Sequence, residues 1–220
     1  MAEQIASTPP AQASPASDTP RGAPEFVSAE EYMDKYAHDF YEWVEGRLVK
    51  MAPISDVHDE ITIYVRDMFR AYFSLNAIGK IRGAPFVQRL DSINSRREPD
   101  LMVILNDNPG QLSATAMIGP ADICIEVVSL ESVERDYGSK FTEYEKGGVK
   151  EYWLFDPIRK ASHFHRLGEA GLYVPIMPDD EGNYETPLLP RLQLRTPTLW
   201  EQPLPDFYAI GEAVRKMLGK

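Results

Sequence analysis

Pro99-Asp100-Leu101-Met102-Val103-Ile104-Leu105 and Asp122-Ile123-Cys124-Ile125-Glu126-Val127-Val128-Ser129 decide how this chain is read. Each is an apolar run of strand length that carries an acid. If the two pair antiparallel around the 106–121 loop, the start of the first lies beside the end of the second. Asp100 and Glu126 then meet at one end of the hairpin, close enough to share a cation. Alternation puts Cys124, Glu126 and Val128 on one face and Ile123, Ile125 and Val127 on the other. An acid inside such a strand is costly to bury without a partner. Mg²⁺ is a natural partner, because it takes one or two carboxylates and completes its shell with waters and substrate phosphate. The structural alternatives are a strand-end cap for Asp100 after Pro99 and a salt bridge from Glu126 to Lys140 or an Arg. Cys124, flanked by isoleucines, reads as a small buried residue rather than a nucleophile.

Working outward, residues 136–146 read as a helix closed by Gly147-Gly148. Asp136 and Lys140 stand i, i+4 on it, and Tyr137, Phe141 and Tyr144 make its apolar stripe. The helix follows Glu126 closely, so Lys140 could reach over the hairpin end and steady charge developing on a phosphate. A surface ion pair with Asp136 or Glu143 is the alternative for Lys140. Further strands are expected at Glu151–Phe155, where Tyr152 and Trp153 read as core, and near 161–167 and 171–177. A hairpin is expected over Phe40–Met51 with Glu45-Gly46 at its turn, and a strand over 80–90 with Pro85 at an edge or bulge. The longest helical signal spans 57–75, with Ile61, Val65, Met68, Phe69 and Tyr72 on one face. Ser28 caps a short helix to about Tyr36, and 206–218 is amphipathic. The stretch 178–205 reads as loop with short strand pieces. The order of elements predicts a mixed α/β domain in which a sheet is covered by helices.

The chain has 220 residues and a formal net charge of −11, which fits one folded domain. That domain is expected over 25–220. Residues 1–24, with prolines at 9, 10, 15, 20 and 24, read as a disordered Ala/Pro/Ser-rich tail. The acid excess argues against coating nucleic acid by charge alone, yet leaves room for a local basic groove. One cysteine excludes an internal disulfide and a Cys-based zinc site. No run of about 18 apolar residues and no secretory signal is visible, so a cytoplasmic location is the expectation.

Pro99-Asp100, Ile125-Glu126-Val127-Val128-Ser129, Asp136 with Lys140, and Gly148-Val149-Lys150-Glu151-Tyr152-Trp153-Leu154-Phe155-Asp156-Pro157 resemble the Uma-two restriction endonuclease family, a branch of the PD-(D/E)XK nuclease superfamily. Tyr41–Gly46 and the Pro53…His58 segment are similar to the family's N-terminal part. The resemblance covers roughly 26–215. It implies a restriction-endonuclease-like core, a central mixed sheet flanked by helices, and a Mg²⁺-dependent endonuclease acting on DNA, with Mn²⁺ able to substitute. Asp100, Glu126 and the Val127 carbonyl would hold the metal. The superfamily usually places a Lys two residues after the Glu, where this chain has Val128. Related families supply one from the following helix, which makes Lys140 the matching residue. His58 falls where the family carries a His near the site, though an ordinary helix N-terminal role is the simpler reading.

The window holding Lys80, Arg82, Arg89, Arg96 and Arg97 is the most basic in the chain. It could track a phosphate backbone beside the metal, or consist of solvated surface residues. A homodimer would suit two-strand cleavage. The rival to the enzyme is a nuclease-fold module that has lost its chemistry and binds nucleic acid or a protein partner.

Overall fold

The computed structural model describes residues 26–220. The expected tail over 1–24 lies outside the described residues.

Two mixed six-stranded sheets form the body. The first runs β2 (Arg47–Lys50), β1 (Tyr41–Val44), β5 (Ser95–Arg97), β4 (Val87–Leu90), β8 (Ala116–Ile118), β7 (Gln111–Leu112). The second runs β12 (Tyr173–Ile176), β11 (Ala161–Leu167), β10 (Glu151–Asp156), β9 (Ile123–Val127), β6 (Leu101–Leu105), β3 (Gly79–Gly83). A small pair, β13 (Asn183–Glu185) and β14 (Gln193–Arg195), stands apart from both.

The deciding strands pair as their sequence requires. β6 and β9 are antiparallel, with Leu101 opposite Ile125 and Val103 opposite Ile123. Alternation then splits the side chains between two cores. Ile123, Ile125 and Val127 join Leu101, Val103 and the apolar face of helix α2 (Asp56–Leu75). Cys124 and Val128 join Met102, Tyr144 and Tyr152 on the opposite face. β10 lies parallel to β9 with Leu154 opposite Glu126, and Tyr152 and Trp153 are both core residues.

Local caps and turns fix the element ends, and those at Ser28, Glu45-Gly46 and Gly148 fall where the sequence puts them. Ser55 Oγ accepts from His58 N at 3.3 Å and starts α2. Ser28 Oγ accepts from Glu31 N at 3.1 Å and starts α1 (Ala29–Glu31), which continues as a π-helical turn to Tyr36. Glu45 and Gly46 both have positive φ, 48° and 90°, as the tight hairpin turn between β1 and β2 demands. A π-helical turn over Arg135–Ser139 leads into α3 (Lys140–Gly147), and Gly148 closes it in the left-handed region at φ 85°. The C-terminal helix α4 (Phe207–Met217) lays Ile210 and Val214 against the α2 core.

Two expectations need correction, and one further strand carries no sequence signal. The strand over 80–90 is two strands in different sheets, because the turn around Pro85, closed by Phe86 N donating to Gly83 O at 3.2 Å, redirects the chain. The 106–121 loop contains β7 and β8. Most consequential is β5, three buried polar residues with no apolar pattern to announce a strand. It runs through Glu98-Pro99 into Asp100 and β6, so the chain changes sheets at the first candidate acid. Pro99 has no N–H to continue a ladder, which suits it to that switch.

Candidate active site

Asp100 stands one residue before β6 and Glu126 one residue before the end of β9, so the antiparallel register brings them together. The Asp100 N–H points toward Glu126 Oε2 at 3.5 Å. Asp100 Oδ2 accepts from Val127 N at 2.7 Å and sits 3.1 Å from His58 Nε2. Both contacts fall on one oxygen, and Oδ1 takes no bond among the described residues. His58 is buried in the first turn of α2. Burial works against its charge, but the bond and charge of Asp100 raise its pKa overall.

Glu126 points to the face shared with Val128, where the usual Lys would stand. There the ammonium arrives from α3 instead: Lys140 Nζ lies 2.9 Å from Glu126 Oε2. It also lies 3.2 Å from Asp136 Oδ1 and 3.7 Å from Glu42 Oε1. Tyr144, one turn further along α3, donates to Glu126 Oε1 at 2.8 Å. Asp136 receives the Ser132 hydroxyl on its other oxygen. Arg97 bonds Glu42 at 2.7 Å through Nη1 and grips Glu143 through Nε at 2.9 Å and Nη2 at 2.6 Å. One lysine and one arginine thus answer several buried carboxylates.

That imbalance shapes the protonation of the cluster. Burial works against the Lys140 ammonium, yet Glu126, Glu42, Asp136 and Asp100 together hold its pKa well above the ordinary lysine value. Glu126 is pushed up to about 8 by burial against the pull of Lys140, with Asp100, Asp136 and Glu42 adding to the rise. Burial also raises Asp136. Glu42, equally buried, is drawn down to about 2 because both Lys140 and Arg97 face it.

The donor chemistry suits a hard divalent cation. It is all oxygen, rich in carboxylates, and bordered by a carboxylate oxygen on Asp100 that no described donor occupies. Among the described residues, no three His, Cys, Asp or Glu side chains converge in a metal-holding group. A set of two carboxylates matches the Mg²⁺ habit of keeping several waters. The cleft lined by His58, Asp100, Glu126, Asp136 and Lys140 measures about 70 Å³, which admits a few waters and no nucleotide.

The basic window does not form one track. Arg97 is buried at 2% exposure and spent on Glu42 and Glu143, so its expected phosphate role is corrected. Arg96 is also buried, paired to Asp91 and stacked over Trp43, and Arg89 turns to the same Asp91 at 3.1 Å. Both corrections have one cause: β4 and β5 pair across each other, with Arg89 opposite Arg96, and Asp91 neutralises them. Only Lys80 and Arg82, on β3, stay exposed.

Glu42 escaped the sequence reading because an acid between aromatic residues of a hairpin looks solvent-facing. Its only sequence signal was its place in the Tyr41–Gly46 string. Glu143 and Tyr144 were legible only as helix surface and apolar stripe.

The family model described as "Putative restriction endonuclease", Uma2, matches residues 29–197. Among solved structures, the chain is similar to one titled a putative nuclease belonging to DUF820, from Anabaena variabilis. The TM-score is 0.67 at 15% identity, covering 79% of this chain and 97% of that one. At that identity the likeness shows the fold. No curated protein matches. The family model takes in His58, Asp100, Glu126 and Lys140 alike, and over that whole span the chain belongs to the Uma2 family.

Proposed function

We propose that this chain is a Mg²⁺-dependent endonuclease that hydrolyses phosphodiester bonds in DNA, with Mn²⁺ able to substitute. The observation that carries the reading is the meeting of Asp100 and Glu126 at one strand end with Lys140 Nζ 2.9 Å from Glu126. Asp100 and Glu126 would hold the cation, with the Val127 carbonyl beside them. The metal, when bound, makes water a better nucleophile near neutral pH and draws charge off the phosphoryl oxygens. In the reaction a water oxygen bonds to phosphorus as the bond to the leaving sugar oxygen breaks. The water's proton passes to solvent and the leaving oxygen takes one up.

The chain's own residues divide the remaining work. Lys140 stays protonated, given its carboxylate neighbours, so it acts as a fixed positive charge for the phosphoryl group rather than as a base. His58 and the Val127 N–H fix the rotamer of Asp100. Tyr144 does the same for Glu126. Two copies acting together would suit cutting both strands.

Supercoiled plasmid incubated with Mg²⁺ or Mn²⁺ tests this. The wild type is expected to nick or linearise it. Glu126→Ala should lower the rate per folded molecule about 10³-fold or more, with cooperative unfolding retained. Mg²⁺ should raise the melting temperature of the wild type and not of the variant. Equal cleavage by Glu126→Ala, or no cleavage of DNA by the wild type, sinks the reading. Val128 in place of the usual Lys favours one rival, a module that binds without cutting. Binding insensitive to Glu126→Ala, with no cleavage, is its signature.

A further inference from the structure

The cleft at Asp100 and Glu126 is too small to hold a nucleotide, so a polymer substrate needs a seat beside it. The described surface offers one. A groove of about 660 Å³ lies between α2 and β3. Its walls carry Arg66 and Arg70 from α2 and Lys80 and Arg82 from β3, and no Asp or Glu lines it. This is unusual ground on a chain of net charge −11. None of the four makes an ion pair among the described residues. Arg82 turns only to the Ile81 carbonyl and the Phe86 ring. Arg66 Nε is buried with no hydrogen-bond partner among the described residues.

The groove is joined to the acids. β3 pairs with β6, and its last residue Gly83 faces Leu101, next to Asp100. A Cβ on Gly83 would stand 2.8 Å from Arg66 Nη2 and 2.9 Å from the Asp100 carbonyl oxygen. That glycine lets the guanidinium and the start of β6 approach each other. On α2, His58, Thr62, Arg66 and Arg70 follow at steps of four, each step rising roughly 6 Å along one side of the helix. The stripe therefore runs from a residue bonded to Asp100 into the groove. Phe207, 60% exposed at the start of α4, also lines the groove and offers a ring on which a base can stack.

We infer that the α2–β3 groove seats the phosphodiester backbone of a nucleic-acid strand on Arg66, Arg70, Lys80 and Arg82 and leads it to the acids. The inference rests on the nuclease reading for its purpose and on the groove alone for its binding. It replaces the Arg89, Arg96 and Arg97 track that the sequence suggested.

The test is fluorescence anisotropy of the full chain in EDTA, using a labelled DNA oligonucleotide, single-stranded and duplex, between about 50 and 200 mM salt. Wild type should bind one or both forms, with affinity falling steeply as salt rises. A combined Arg66→Gln, Arg70→Gln, Lys80→Gln, Arg82→Gln variant should bind about 30-fold or more weakly at low salt and lose most of the salt slope. Lys35→Gln, an exposed change elsewhere, should leave both unchanged. Matching melting curves confirm that the combined variant folds. Binding and salt slope equal to wild type in the combined variant overturn the groove, as does the absence of any wild-type binding. Cleavage separates the two readings. A wild type that cuts DNA, with a combined variant that binds and cuts equally well, removes the groove and keeps the nuclease. Groove-dependent binding without cleavage in any metal keeps the groove and removes the nuclease.

Discussion

Glu126 and Glu151 sit at opposite ends of the same parallel strand pair, and their surroundings could hardly differ more. Glu151, buried completely, accepts from Trp153 Nε1 at 2.8 Å, Tyr184 OH at 2.9 Å, Thr186 Oγ1 at 2.6 Å and Arg166 Nε at 2.7 Å. Every donor there serves one carboxylate. At the other end, Glu126 shares its lysine with Asp136 and Glu42 and has Asp100 beside it. The first is a saturated structural knot. The second crowds several carboxylates around one shared lysine, and burial together with that crowding raises the Glu126 pKa to about 8. Burial of an acid therefore does not by itself distinguish the two ends of this strand pair, whereas the ratio of carboxylates to donors does.

Lys140→Met gives the largest effect on that contrast. It leaves Glu126, Asp136 and Glu42 without their shared ammonium, and a loss of about 3–5 kcal/mol is expected by urea denaturation at pH 8. Protonation of the carboxylates should shrink the loss toward pH 5. A loss under about 1 kcal/mol would mean that the ammonium does not hold the cluster.

Glu151→Ala should cost somewhat less, about 3 kcal/mol, because Arg166 is partly exposed and can be rehydrated while Trp153 and Tyr184 cannot. Cleavage per folded molecule should stay at the wild-type level. A fall in specific activity with stability intact would erase the distinction between the two ends.

Glu98 sharpens the contrast from the crowded side. It lines the same cleft, with Oε1 receiving Tyr32 OH at 3.0 Å and Oε2 buried without a partner. Burial raises its pKa from 4.5 to about 7 against the bond from Tyr32. Between those values the folded chain holds a proton that the unfolded chain has released. Stability therefore falls as pH climbs from about 4.5 to about 7, and the cost persists above. Glu98→Gln should make the protein more stable than wild type at pH 8, by up to about 3 kcal/mol, with the difference gone near pH 4. Thermal melts across that range check it, and a pH-independent difference would refute the assignment.

The hairpin geometry of Asp100 and Glu126 was legible because strand alternation and register are local rules. The same holds for α2, whose apolar positions repeat at helical spacing, and for Lys140, one helix away from Glu126. Other features were not legible, since they depend on contacts between elements far apart in the chain. β5 carries Ser95, Arg96 and Arg97 inside the protein, a pattern that composition assigns to the surface. Arg97 is buried only because Glu42 and Glu143, 55 and 46 residues away, meet it there. The groove residues Arg66 and Arg70 sat unnoticed on the polar side of an amphipathic helix, where charge is expected and says nothing by itself.

Lys140 touches three different elements: Glu42 on the first sheet, Glu126 on the second, and Asp136 in the π-helical turn before its own helix. Its ammonium is in place only when all three have docked. Were the first sheet to open with β6, β9 and both acids still aligned, the charge arrangement of the site would still be lost. Activity should then disappear at the first cooperative opening, before the melting of the second sheet. If the chain cuts DNA as proposed, dependence on complete assembly is a form of restraint: partly folded copies would be silent.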